Sequence, residues 1–365
     1  MVDDVCEGRN LENYLTPINP QNNSAENTLR NQQRFDRAVF YGGAGYTVRG
    51  LVGLVFQREP TLELPSTLAY VAEDADGAGV SIHQQAQGVV REQVRKGRCG
   101  LLVNFLSASA HGQPASVKDK ARAVIQLFMS EDIINWRMEK IGADYKLTLV
   151  VLRYQRDVYK DDYQLERREA LLELRLVNGQ YILRHWEKDG GDCTKTSEVM
   201  PHDATGKPLA EIPFTFVGSE TNTQSIDQAP MLDICKVNAG HLNNSADYED
   251  SAFMVGQPQP WASGINGDDL NGVQVVGSNS LICVPEGGRF DFAQVKPNTL
   301  AREAMNDRVE MMVGLGAMFI QPGSAVKTAT QSKASSACST RCCLLSHQIA
   351  ARRTHRRCIG WPSSW

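Results

Sequence analysis

The sequence has no stretch approaching the ~18 consecutive apolar residues that a membrane span requires, so no transmembrane helix is expected. Its opening segment, MVDDVCEGRNLENYLTP, has neither a basic patch nor an apolar run and does not read as a secretory signal. There is no G-K-[ST] step, no G-x-S-x-G and no H-E-x-x-H. Their absence removes the P-loop, the serine-hydrolase elbow and the zinc-peptidase helix. Neither an internal repeat nor a low-complexity linker is found. The body histidines, His83, His111, His185, His202 and His241, lie far apart and show no paired ligand spacing. Cys6, Cys99, Cys193, Cys235 and Cys283 are scattered singly, as expected of reduced thiols. Acid is missing altogether after Glu310.

What is present is ordinary for a folded chain: 42% hydrophobic and 22% charged residues over 365 positions. That length suits one large domain or two to three modest ones. Residues 333–365 carry six basic groups, Lys333, Arg341, Arg352, Arg353, Arg356 and Arg357, and no acid. Without them the body has 32 Lys and Arg against 42 Asp and Glu, a net charge of −10. An acidic body argues against tight wrapping of nucleic acid, which needs phosphate neutralisation. It is compatible with a surface past which DNA slides.

Residues 24–41 read as a helix capped near Asn23 or Ser24 and broken by Gly-Gly-Ala-Gly at 42–45. A second, apolar helix spans about 46–56 and stops before Pro60 and Pro65. In SIHQQAQGVVREQVRKG, Ser81 caps a helix whose stripe is Ile82, Ala86, Val89, Val90 and Val94, and Gly97 ends it. A buried strand follows at 100–106, and a further strand at 145–154. Leu172, Leu174 and Leu176 alternate with Glu173, Arg175 and Val177, and Asn178-Gly179 supplies a hairpin turn. IPFTFVG at 212–218 adds a short strand. The fold class is therefore α+β with antiparallel hairpins.

From Asp227 the character changes to a long helix with Pro230 in its first turn. Met231, Ile234, Val237 and Leu242 mark one stripe, and the rest is small or polar: Ala239, Gly240, Asn243, Asn244, Ser245, Ala246. A helix this polar is expected to bridge, to line something, or to pack against copies of itself. Residues 262–297 are Gly-rich β and loop, and a further helix covers 298–319. The Met-rich stripe Met305, Met311, Met312 and Met318 reads as core.

Three stretches invite a chemical reading. GGAGYTVRG lacks the last glycine of G-x-G-x-x-G and reads better as a helix break. DADGAG at 74–79 has Ala78 and Gln85 where a calcium loop needs ligands, so it reads as a surface turn. Asp157, Asp161, Asp162 and Glu166 form an acidic cluster of the kind a divalent metal uses, but interleaved Arg and Lys favour a solvated charged loop. No catalytic residue, cofactor site or metal site is assigned, which favours a structural or assembly protein over an enzyme.

At this point the residues carry a likeness. FYGGAGYTVRGLVGLVFQREPTLELP, VVREQVRKGRCGLLVNF, SEDIINWRME, IPFTFVG, PMLDICKVNAGHLNNSADYEDSAFMVGQPQPWASG, GSNSLICVPEGGRFDFAQVKP and MFIQPGSAVKTATQ, in this order, resemble the portal proteins of tailed bacteriophages. The likeness covers about residues 10–332, and its specificity lies in the order and spacing of the motifs. It implies a mixed α/β wing over 1–226 and a stem helix over 227–260. A clip-like or returning β segment over 261–297 and a second helix with its return over 298–332 would follow. It also implies a homo-oligomeric ring, dodecameric in the family, at the head vertex of a virion made in a bacterial host or encoded by a prophage. A separate terminase large subunit drives the DNA, capsid and tail or connector proteins dock, and double-stranded DNA passes without tight binding. On this reading Asp233, Lys236, Asp247, Glu249 and Asp250 of the stem helix would line the channel.

In the family T-A-T-Q is followed by a helix rich in Ala, Glu and Ser. Here the chain turns instead to Cys, Arg, Ser and His. Cys338, Cys342, Cys343 and Cys358 with His347 and His355 have poor zinc spacing. The expectation is a basic tail out of keeping with the body, produced by an altered reading frame that truncates a longer chain. Two other function classes remain: a metal-dependent enzyme using 157–166, and a basic-tail nucleic-acid binder.

Overall fold

The computed structural model describes residues 1–58, 60–106, 122–159, 161, 163–189, 192–202, 206–256, 259–263, 287, 289–293 and 299–316. The fold is α+β with antiparallel sheets. The expected segment 333–365, Asp162 and most of 264–298 lie outside the described residues. The chain divides into two compact units, one of Asp3–Tyr46 with Asp233–Gln321, the other built on Thr47–Leu232. Asp3–Tyr46 thus belong with the long helix. The reason is a set of side-chain bonds described below.

The β-rich unit starts from the C-terminal part of α3 (Gly43–Val55) and from α4 (Ile82–Lys96). α3 begins inside the glycine run, three residues before the expected start. Ser81 and Gln84 form a reciprocal capping box at the head of α4. Gly97 closes α4 at φ 75°, and a Cβ there would lie 2.6 Å from the Gln228 carbonyl oxygen, so both backbone angle and space require glycine.

After that turn β1 (Arg98–Leu106) enters a three-stranded antiparallel sheet, flanked by β2 (Arg122–Met129) and β8 (Phe214–Gly218). A five-stranded antiparallel sheet runs in sequence order through β3 (Ile133–Ile141), β4 (Asp144–Tyr159), β5 (Leu165–Val177), β6 (Gln180–Asp189) and β7 (Asp192–Val199). Two-residue alternation sorts the faces of the small sheet. Cys99 and Val217 meet Val89 of α4, with Leu101 and Leu127 beside them. Leu102, Phe128, Phe214 and Phe216 point the other way, into one core with Val150, Leu152, Leu172, Leu174, Tyr181 and Leu183 of the large sheet. Register makes this possible: Val150 pairs with Leu174, which pairs with Leu183. Burying each of these large apolar side chains contributes about 1.5–3 kcal/mol. The β5–β6 turn is the expected one, with Asn178 at φ 52° and Gly179 at φ 77°.

In the other unit, α1 (Val2–Glu7) and α2 (Ala25–Arg37) precede an irregular segment that leads into α3. Ser24 caps α2 by accepting the Asn27 amide at 3.2 Å. α5 (Leu232–Val255) starts after a turn that contains Pro230. A two-stranded antiparallel pair, β9 (Gln259–Ser263) and β10 (Arg289–Ala293), and α6 (Leu300–Gly314) complete it.

Candidate functional site

The polarity of α5 finds its partners inside its own unit. Asn238 is fully buried; its Oδ1 accepts the Ala44 amide at 3.0 Å and its Nδ2 donates to the Tyr41 carbonyl at 2.8 Å. One turn and a half on, Asn243 Oδ1 accepts the Thr16 amide at 2.8 Å, and its Nδ2 donates to the Tyr14 and Ala239 carbonyls at 2.8 and 3.0 Å. Ser245 Oγ accepts the Val39 amide at 2.9 Å. Residues 14–16 and 39–44 include stretches with no ladder or helix to satisfy their backbone groups, and buried backbone groups must be paired. The side chains of α5 supply those bonds. The apolar positions Met231, Ile234, Ala239, Leu242 and Ala246 are buried between them.

The carboxylates follow the same logic. Asp250 receives Arg30 in a two-pronged pair, Nη1 at 2.6 Å to Oδ1 and Nη2 to Oδ2, and Arg37 at 3.2 Å. Asp247 Oδ1 receives Arg34 through Nε at 3.0 Å and Nη2 at 2.5 Å. Arg34 is only 4% exposed and also donates to the Thr16 carbonyl at 2.9 Å. The Arg30 hydrogen bond holds the Asp250 carboxyl below the usual carboxylate range against the opposing effect of burial. The Arg37 guanidinium also lies 3.8 Å over the Phe253 ring. Arg30, Arg34 and Arg37 therefore form one stripe of α2 matched to Asp247 and Asp250 of α5.

Of the five positions singled out on the stem-like helix, Asp247 and Asp250 pair with arginines of α2, Asp250 half-buried and Asp247 exposed. Asp233 and Lys236 stand exposed and pair with each other at 3.3 Å. Glu249 is half-buried. α2 contributes three cations against two of these acids. Part of the polar surface of α5, through Asn238, Asn243 and Ser245, is met by the chain's own N-terminal segment. The arginine spacing 30, 34, 37 was the available signal, since it repeats at one helical face.

His241 is buried on α5, its ring 5.3 Å from that of Tyr41, and its Nδ1 has no hydrogen-bond partner among the described residues. Burial first, and nearby Arg308 second, hold its pKa below the ordinary histidine value.

In the β-rich unit the acidic stretch is dispersed. Asp157 pairs with Arg167 at 3.4 Å, Glu166 with Arg168 at 3.3 Å, and Asp161 accepts the Tyr163 and Gln164 amides. Among the described residues no group of three or more His, Cys, Asp or Glu is placed to hold a metal ion. In the 74–79 turn, Asp74 accepts the Gly77 and Gly79 amides, Asp76 those of Ala78 and Val80, and Arg122 pairs with Asp74. Arg98, 4% exposed, lies against both Trp136 and Phe216, 4.4 and 4.2 Å from their ring centres. Its pKa is lowered by burial, with Asp227 acting in opposition.

No described helix is long and apolar enough to cross a membrane. Residues 230–365 match the model of a family described as a domain of unknown function, DUF4055, a span that takes in α5 and also residues 333–365. No curated protein matches the chain. Among solved structures, the fold is similar to a chain in the neck of an empty GTA particle computed with C6 symmetry. The identity is 11% and the TM-score 0.39, with 81% of this chain and 72% of that chain covered. It is also similar to a chain in the virion of a native gene transfer agent (GTA) particle, at 13% identity and TM-score 0.38, covering 78% of this chain and 68% of that chain.

Proposed function

We propose that this chain is a structural subunit of a tailed-phage-type particle, and within it of the portal ring at the head vertex. The observation that carries the reading is the ordered series of motifs from about residue 10 to 332, with SEDIINWRME and the 230–264 stretch at its centre. On this reading the subunit is a conduit and not a motor. A terminase would drive double-stranded DNA through the ring, and capsid and tail or connector proteins would dock on it. A heterologous ring closes when each subunit offers one patch to a different patch of the next.

The charge arrangement supports a conduit. A wall that gripped phosphate would hold the DNA it must pass. The body is at −10, and Arg30, Arg34 and Arg37 are engaged by carboxylates of their own unit. Of the five α5 candidates for a channel wall, Asp233, Lys236, Asp247, Glu249 and Asp250, the first three are exposed. The acidic stretch 157–166 supplies no enzyme reading of comparable support, because its described members bond to neighbouring arginines and backbone amides.

The test is negative-stain imaging of the purified full-length protein together with duplex-DNA binding at physiological salt. Rings with negligible DNA affinity are expected. A monomer at every concentration, or tight salt-dependent DNA binding, would overturn the reading.

A further inference from the structure

Two cysteines that are 229 positions apart in sequence are neighbours in the fold: Cys6 Sγ and Cys235 Sγ are 3.8 Å apart. Cys6 lies on α1 and is partly exposed; Cys235 lies on the first turn of α5 and is fully buried. Their juxtaposition is held from several sides. Gly8 ends α1 at φ 68°, turning the chain back over it. Asp4 accepts the Tyr14 hydroxyl at 2.5 Å and the Asn10 side-chain amide at 2.9 Å, closing the loop that follows. Asn243, two turns beyond Cys235, then clamps Tyr14 and Thr16 onto α5. The N-terminal segment is thus registered along α5 by bonds that do not involve the sulfurs.

We infer that Cys6 and Cys235 are a redox-responsive thiol pair that closes to a disulfide and fixes the N-terminal segment to α5. Closure brings the sulfurs from 3.8 Å to the ~2.0 Å of a disulfide, within reach of side-chain rotation. With a peroxide as oxidant, the more accessible Cys6 thiolate attacks a peroxide oxygen. An S–O bond forms, the O–O bond breaks, and hydroxide leaves. The Cys235 sulfur then attacks the Cys6 sulfenic acid. The S–S bond forms, the S–O bond breaks, and the leaving hydroxide takes up the thiol proton as water. In sum, two thiols and one hydrogen peroxide give one disulfide and two waters.

The consequence follows from the topology. The hydrogen bonds and ion pairs described between the N-terminal segment and α5 are ones that salt and denaturant weaken. A Cys6–Cys235 bond survives both, and it closes a loop that encloses the whole Thr47–Leu232 unit. The pair would then switch the N-terminal segment between a polar latch and a covalent one as the surroundings pass from reducing to oxidising.

The experiment uses the full-length chain, reduced, desalted and exposed to hydrogen peroxide under native conditions. Remaining thiols are alkylated before tryptic digestion and mass spectrometry. The expected product is one peptide pair joining Cys6 and Cys235, two hydrogens lighter than the sum of its parts. Its formation rate should be independent of protein concentration, and dithiothreitol should reverse it. Cys6→Ser should abolish the link, whereas Cys193→Ser should leave it intact. Circular dichroism of Cys6→Ser checks that the variant is folded. Cys6 recovered only as alkylated thiol, sulfinic acid or an intermolecular disulfide would overturn the inference. So would a link that forms only in denaturant.

Discussion

Replacing Asn238 by Leu tests whether α5 is polar because it services irregular backbone. The substitution nearly conserves volume and sits at a fully buried position. It removes the acceptor of the Ala44 amide and the donor to the Tyr41 carbonyl at a stroke. A buried backbone group left without a partner costs about 1–3 kcal/mol. The Ala44 amide belongs at the upper end, because Ala44 is fully buried. Tyr41 is half-buried and its carbonyl still accepts the Gly43 amide at 2.8 Å, so its loss is small. With the gain from one more apolar side chain set against these costs, a net loss of about 1–3 kcal/mol is expected. At a urea slope of roughly 2 kcal/mol/M this moves the midpoint by about 0.5–1.5 M. Hydrogen exchange over the peptide containing Ala44 should show the same loss of protection. Asn238→Asp is the companion variant. It keeps the acceptor but loses the donor and buries a charge, so it should be destabilised at neutral pH. Acidification should restore much of that stability, because a protonated carboxyl can again donate to Tyr41. Asn238→Leu with an unchanged midpoint and unchanged Ala44 protection would refute the reasoning.

Gly97→Ala should cost more than about 2 kcal/mol of thermal or urea stability, because the left-handed angle disfavours a side chain and the Gln228 carbonyl occupies its place. Stability within error of the parent would contradict that geometry. Asp250→Asn should weaken the protein at neutral pH and flatten its acid limb. A carboxylate whose folded pKa is depressed contributes stability above its unfolded pKa, near 4. That contribution is lost as pH falls through the folded value, and Asp250 is such a group. Urea midpoints measured from pH 2 to 7 on both proteins check this. Arg98→Lys should lose about 1–2 kcal/mol, since an ammonium is more strongly hydrated and lacks the flat guanidinium face that packs against Trp136 and Phe216. Arg98→Met, which buries no charge, should lose less, as read by melting temperature.

Local patterns in the sequence determined much of the secondary structure. The capping pair Ser81 and Gln84, the terminator Gly97 and the turn Asn178-Gly179 each act within a few residues, so their geometry is written where they stand. Alternation at Leu172, Leu174 and Leu176 told which face of β5 enters the apolar core, because a strand's period carries that information, but not that Glu173 on the other face is buried as well. The polar composition of α5 was equally visible, but its meaning was not. Whether Asn238, Asn243, Asp247 and Asp250 face a neighbour, a channel or the same chain depends on what lies across from them. Their partners at 14–16, 30–37 and 39–44 are some 200 positions away. The same holds for Cys6 and Cys235, single cysteines in the sequence and neighbours in the fold. Likewise, Arg98 read as one basic residue at a strand start, and only the packing of β3 and β8 set two aromatic rings against it. Helix caps and strand faces are short-range properties of the chain. The pairing of buried polar groups is a long-range one, decided by which segments the tertiary fold brings together.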